Sequence, residues 1–199
     1  DCFLEPFGNF SRCTQQDVVA KLDEYQAKGV RVLFPVHKYD NAFSAGDGDR
    51  RVGEAGSFFH TGYFSDFVEC PAELLTFDGG FDDGGLNYPK LNQSRPAFDS
   101  PPPPVDVSAL DTNPLAVLLP NSGFLEGGPL AGDYCQKYGL TDLGEFLIRE
   151  MMQRGMVIEV DHMPRKSYKR AYEILEENDY PAVGSHGRNN NGRLYQLGG

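Results

Sequence analysis

Hydrophobic positions recur at helical spacing in three stretches of the chain, and a turn and a short apolar run follow each stretch. The first stretch begins at Thr14, whose hydroxyl can cap a helix, and ends at Gly29. The run 30–36 is apolar on both faces apart from Arg31, which is typical of a strand in a covered parallel sheet. Pro35 lacks an amide proton, so we expect this strand to lie at an edge or to bulge there. The apolar side of the helix consists of Val18, Val19, Leu22 and Tyr25.

The second and third helix-strand units lie in the last third of the chain. Thr141 caps a predicted helix that continues to about Arg154, and a strand is predicted over 156–161. Pro164 opens a third helix at the first-turn position, where its missing amide proton costs nothing. The last predicted strand is 182–186. Repeated helix-strand units build parallel sheets, and consecutive strands of such units are usually neighbours.

A histidine ends each of the three predicted strands. His37, His162 and His186 should therefore meet at the carboxyl edge of one parallel sheet, where the ligands of such sheets bind. Adjacent strands are about 4.8 Å apart, so His162 and His186 can reach one divalent ion. Capping and hydrogen-bonding roles for these histidines are the alternative. Strand alternation puts Glu159 and Asp161 on the face opposite His162, so both are left out of the predicted site.

Between 38 and 134 the periodicity disappears and glycine- and proline-rich turns dominate. We interpret 1–199 as a single α/β domain, with 38–134 as a long irregular insertion held by a disulfide. Acidic turns within it have a loose calcium-binding composition, but EF-hand spacing is absent, so solvated turns are the favoured interpretation. These turns contain Asp47, Asp49, Asp78, Asp82 and Asp83.

The cysteines favour disulfides over a metal knuckle, because the sequence has four of them and no C-x-x-C pair. Among the three possible pairings we favour Cys2 with Cys13 and Cys70 with Cys135. Disulfides in a chain of this kind are typical of an oxidising compartment.

Further features favour a secreted protein. The sequence has N-glycosylation sequons at Asn9 and Asn92, and no apolar run long enough to span a bilayer. A formal charge of −11 argues against nucleic acid and anionic membranes as partners.

Two arginines and a fourth histidine are the remaining candidate functional residues. Arg188 and Arg193 follow His186, where a guanidinium can clamp a substrate carboxylate through paired donors, although a surface salt bridge is as good an interpretation. His60 has no strand-end context and stays unassigned. Motifs for a serine nucleophile or a phosphate-binding loop do not occur.

The sequence resembles the membrane (renal) dipeptidase-like branch of the metal-dependent amidohydrolases. The segments that carry the resemblance are 29–42 (GVRVLFPVHKYDNA), 139–151 (GLTDLGEFLIREM), 160–163 (VDHM) and 184–186 (GSH). They occur in the family's order and with its helix-strand rhythm, over roughly half of the chain. Gly187 departs from the family, which usually has serine after the second histidine.

The resemblance implies part of a (β/α)8 barrel of the TIM type with a two-zinc centre that hydrolyses amides. His162 and His186 match the family's late metal ligands, and His37 matches the histidine that polarises the scissile carbonyl. Arg193, or else Arg188, would bind the substrate carboxylate. The family's first-strand H-x-D pair, bridging glutamate and final aspartate have no counterpart, so further polypeptide or another chain is expected to complete the barrel.

The sequence therefore predicts a segment of a secreted, zinc-dependent hydrolase of dipeptides or other small amides, with the isolated chain inactive. The alternative is a noncatalytic secreted binding or structural module that retains the amidohydrolase scaffold. A plain α/β domain whose histidines only cap strands is the third possibility.

Overall fold

The computed structural model describes residues 13–47, 65–71, 78–81, 90–91 and 132–185, and these residues form a mixed α/β fold. Their helices are α1 (Gln15–Ala27), α2 (Asp142–Gln153) and α3 (Arg165–Glu177). All three predicted helices are thus confirmed. The strands of the described residues are β1 (Val32–Leu33), β2 (Asp66–Glu69), β3 (Gly79–Phe81), β4 (Lys90–Leu91), β5 (Gly132–Gln136), β6 (Val157–Glu159) and β7 (Ala182–Val183).

Side-chain caps explain where α1 and α2 begin. The Thr14 hydroxyl accepts a hydrogen bond from the Asp17 amide, and the Asp17 carboxylate accepts one from the Thr14 amide. The Thr141 hydroxyl accepts one from the Gly144 amide. Pro164 is the N-cap of α3 and not its first helical residue, so that prediction is wrong by one position.

The first sheet has the order β1-β6-β7 and is parallel throughout, which confirms three adjacent parallel strands. Each strand is shorter than predicted, because the observed backbone pairing covers only two or three residues of each strand. β1 pairs only with β6 among the described residues, in keeping with the edge position expected from Pro35. The described part of the chain forms no closed barrel, and the outer strands leave Val32 and Val183 exposed by 47% and 37%.

A second sheet arises mainly from the segment that was predicted to be irregular. Its order is β3-β5-β2-β4, with β5 antiparallel to both of its neighbours and β2 parallel to β4. The irregular interpretation is therefore wrong for these strands, which are short and in β3 glycine-rich. The predicted disulfide Cys70–Cys135 joins β5 to the end of β2. Cys13 is also disulfide-bonded, and Cys2, its predicted partner, lies outside the described residues.

The main core lies between the helices and the first sheet. Leu22 of α1, Leu147 of α2 and Ile174 of α3 are fully buried there, together with Ile158 of β6. Phe43, from the loop after β1, belongs to the same cluster and is 1% exposed. This loop is therefore packed into the core and carries its later residues to the carboxyl edge of the sheet. None of the described helices is long and apolar enough to cross a membrane.

Candidate functional site

His37 and His162 lie together beyond the carboxyl ends of β1 and β6. Their ring centroids are 4.3 Å apart, and the ring planes are inclined by 48°. His162 is 3% exposed, whereas His37 is open to solvent. The convergence predicted for these two imidazoles is confirmed. His186 lies outside the described residues, so its predicted place beside His162 stays a prediction.

The backbone of His162 has a left-handed conformation, with φ of 68°. β6 ends at Glu159, and residues 161–162 form a turn that the hydrogen bond from the Met163 amide to the Val160 carbonyl closes. The prediction that His162 directly ends a strand is therefore wrong by two positions. The predicted alternation of faces between Asp161 and His162 fails for the same reason. A left-handed histidine costs on the order of 1 kcal/mol, so surrounding contacts must hold it there.

Asp47 makes two contacts with His162. Its Oδ2 lies 2.9 Å from His162 Nδ1, and its amide donates to the His162 carbonyl over 3.0 Å. Asp47 is only 8% exposed, so the interpretation of this aspartate as a solvated turn residue is wrong. A buried carboxylate needs polar partners, and the imidazole provides one. Asp49, Asp82 and Asp83 lie outside the described residues.

A buried polar network fixes the loop immediately before Asp47. Asp40 Oδ1 accepts hydrogen bonds from the Gly46 amide (3.0 Å) and from Gln136 Nε2 (3.2 Å). Gln136 Nε2 also donates to the Gly46 carbonyl over 3.1 Å. Asp40 and Gln136 are 0% and 1% exposed. A Cβ atom at Gly46 would collide with the Lys38 carbonyl, so only glycine fits where these two backbone segments touch.

Asp78 links the second sheet to α3. Its Oδ1 accepts from the Arg165 amide (2.7 Å) and its Oδ2 from the Gln136 amide (2.9 Å). This carboxylate supplies the cap that Pro164 cannot provide from its own side chain. Burial raises the pKa of Asp78, the two backbone hydrogen bonds and Arg165 oppose the rise, and the nearby Asp47 adds to it. Asp78 therefore connects α3 to β5 and is not the solvated turn residue that the sequence suggested.

Glu159 is a buried residue of the site region that the sequence reasoning left out. It is 0% exposed, and its Oε2 accepts hydrogen bonds from both the amide and the hydroxyl of Ser185. Its Oε1 accepts from the Asp161 amide over 3.2 Å. Glu159 thereby ties the end of β6 to the residue before His186. A carboxylate inside the apolar run 156–160 was the available signal, since such a residue needs buried partners.

The zinc centre that the resemblance implies needs more donors than the described residues bring together. The described residues contain no group of three or more histidine, cysteine, aspartate or glutamate side chains that could hold a metal ion. Of the predicted ligands they include His162 alone, whereas a zinc site needs three or four protein ligands. The Asp47–His162 pair does fit the pattern in which a ligating histidine donates its second ring N–H to a carboxylate. A complete centre would therefore need His186 and other residues.

Several predicted residues lie outside the described part of the chain. They are the arginines Arg188 and Arg193, the sequons at Asn9 and Asn92, and His60.

Comparison with known proteins gives no match to this chain among family models, curated proteins or solved structures.

Proposed function

We propose that this chain is a segment of a secreted, metal-dependent hydrolase of dipeptide-like or other small amide substrates, built on part of a dipeptidase-like (β/α)8 barrel. The observation that supports the proposal best is the pairing of His37 and His162, with centroids 4.3 Å apart, beyond two adjacent parallel strands. Ligands of parallel α/β folds bind at this edge.

The proposal gives the two histidines different tasks. His162 is buried and would bind the metal together with His186, and zinc bound there would activate a water molecule. His37 is exposed and would contact the substrate, where it polarises the scissile carbonyl. Arg193, or else Arg188, would bind the substrate carboxylate through paired donors.

The edges of the first sheet support the expectation that more polypeptide or another chain completes the barrel. Within the described part of the chain, β1 and β7 are its outer strands, and each exposes a valine, Val32 and Val183. Edge strands that expose apolar side chains are unfavourable in water and favour addition of further strands. The Cys70–Cys135 disulfide supports a secreted location, because such bonds persist in oxidising compartments.

The alternative is a noncatalytic secreted module that keeps the scaffold for binding or structure. The lack of a sequence counterpart for the family's first-strand H-x-D pair, bridging glutamate and final aspartate supports this alternative. The two functions differ in whether the chain binds zinc through its late histidines.

The experiment measures zinc binding by isothermal titration calorimetry to the chain and to His162→Ala and His186→Ala variants. His60→Ala is the matched control, since it removes an imidazole to which no role is assigned. We expect weak zinc binding that either site variant abolishes and the control preserves, with circular dichroism confirming the fold of each. No dipeptide turnover is expected, because two histidines hold zinc weakly and no general base is evident.

Zinc binding that survives both site substitutions, or no zinc binding by the folded wild-type chain, would refute the hydrolase proposal in favour of the noncatalytic module. Substantial dipeptide hydrolysis by the chain alone would refute the expectation of inactivity.

A further inference from the structure

We infer that Asp47 is a positioning residue that holds the His162 imidazole in one tautomer, with the proton on Nδ1 and the lone pair on Nε2. The use of that lone pair for metal binding rests on the proposed function. The tautomer itself does not, because it follows from the contact between the two side chains.

The contact determines which ring nitrogen carries the proton. An ionised carboxylate only accepts hydrogen bonds, so the hydrogen between Asp47 Oδ2 and His162 Nδ1 belongs to the imidazole. A neutral imidazole has one such proton, which leaves Nε2 as the basic nitrogen. Both side chains are buried, at 8% and 3% exposure, so water competes weakly for this hydrogen bond.

A second contact fixes the position of the ring. The Asp47 amide donates to the His162 carbonyl, so Asp47 contacts both the backbone and the side chain of the same residue. Two attachment points hold the left-handed backbone at residue 162 and restrict rotation of the imidazole. Charge balance alone would not require the hydrogen bond between the Asp47 amide and the His162 carbonyl.

The position of Asp47 depends in turn on the second sheet. Gln136 of β5 holds the Gly46 carbonyl, and Asp40 accepts from both Gly46 and Gln136. Cys135, the residue before Gln136, is crosslinked to Cys70. The second sheet therefore serves as the support of the residue that orients His162.

Nuclear magnetic resonance of the ¹⁵N-labelled chain tests this inference without metal. The sequence has four histidines, so each imidazole can be assigned from a substitution. At a pH well above the usual imidazole pKa, we expect His162 to give a protonated Nδ1 and an unprotonated Nε2. In Asp47→Ala, the tautomer with the proton on Nε2 should gain population. Asp179→Asn, the matched control for Asp47→Asn, removes a carboxylate charge at an exposed residue with positive φ and should leave the pattern unchanged.

A wild-type His162 protonated on Nε2, or an unchanged pattern in Asp47→Ala, would overturn the inference. The wild-type spectrum is decisive even if the alanine variant does not fold, and Asp47→Asn provides a variant of similar size.

A zinc titration of the same samples separates this inference from the proposed function. Loss of a carboxylate that orients a ligating histidine typically weakens metal binding about 10- to 100-fold, and we expect this for Asp47→Ala. If His162 has the predicted tautomer but zinc does not change its signals, the metal site alone would be refuted. Equal zinc binding at His162 in wild type and variant would refute the role of Asp47 alone.

Discussion

Thr141 is predicted to stabilise the fold more than an ordinary helix cap does, because it also anchors the loop that leads to Asp47. Its hydroxyl accepts a hydrogen bond from the Gly144 amide and donates to the Ala42 carbonyl over 2.7 Å. Among the described residues, Thr14, the other threonine cap, forms side-chain hydrogen bonds only within its own helix turn, and it is exposed. Substitution of each threonine by alanine therefore compares a local cap with a cap that has a tertiary contact.

The expected magnitudes follow from these contacts. Loss of an N-cap costs about 1 kcal/mol of unfolding free energy, which is our expectation for Thr14→Ala. Thr141→Ala also leaves the carbonyl of the buried Ala42 without its hydroxyl donor, and this costs roughly another 1–3 kcal/mol. We expect a total of about 2–4 kcal/mol for Thr141→Ala, and a Tm lower by about 2–4 °C for each of these kcal/mol.

Equilibrium urea unfolding with the disulfides intact measures both variants. Thr141→Ser keeps the hydroxyl and is the matched control, with an expected cost below about 1 kcal/mol. Equal losses for Thr14→Ala and Thr141→Ala would refute the reasoning, because the contact with the Ala42 carbonyl would then contribute nothing measurable.

Two further predictions test the packing of α2 and the electrostatics of α1. Gly144→Ala improves intrinsic helix propensity, but its Cβ would collide with the Phe43 carbonyl. We therefore expect a net loss of about 1–3 kcal/mol of unfolding free energy in urea. A gain in stability would contradict the close approach of the two backbone segments. Hydrogen bonds from Lys28 and Lys21 lower the pKa of Glu24 from 4.5 to about 2. The ionised Glu24 contributes to stability above its unfolded-state pKa of 4.5, and this contribution is lost as the pH falls toward its folded-state pKa of about 2. Between these two pH values, Glu24→Gln should therefore lose less stability than the wild type. An identical acid dependence of unfolding in both proteins would contradict this ion pairing.

The helix-strand units could be predicted because their signals are local. The threonine caps, the apolar spacing within each helix and the glycines after α1 and α2 lie within a few residues of the structure they determine. The second sheet could not be predicted in this way. Its strands have two to five residues, and β2 pairs with β5 through Val68 and Cys135, which are far apart in the sequence. The two cysteines near that pairing were the only sequence feature that pointed to it.

Some residues of the candidate site could likewise be predicted from local sequence, whereas others depend on contacts between distant segments. Histidines after apolar runs predicted that His37 and His162 meet, because strand order brings strand ends together. Asp47 had no comparable signal, since 115 residues separate it from His162 and its local sequence is typical of a solvated turn. Glu159 was visible as a carboxylate in an apolar run, but strand alternation alone gave it no partner, because Ser185 comes from the next strand-end segment.

Buried and partly buried carboxylates help to join the distant parts of this fold. Asp40 accepts a hydrogen bond from the distant Gln136, Asp78 accepts two from the distant Gln136 and Arg165, and Glu159 connects the ends of β6 and β7. A carboxylate suits this task because its two oxygens accept several N–H groups that would otherwise be buried without partners. Asp40 lies in the loop that leads to Asp47, and Glu159 lies at the carboxyl edge of the first sheet, so substitutions at these two positions should affect His162 before they affect the apolar core. Through Gln136, the second sheet thus contacts the loop that leads to Asp47 and is connected to the candidate site.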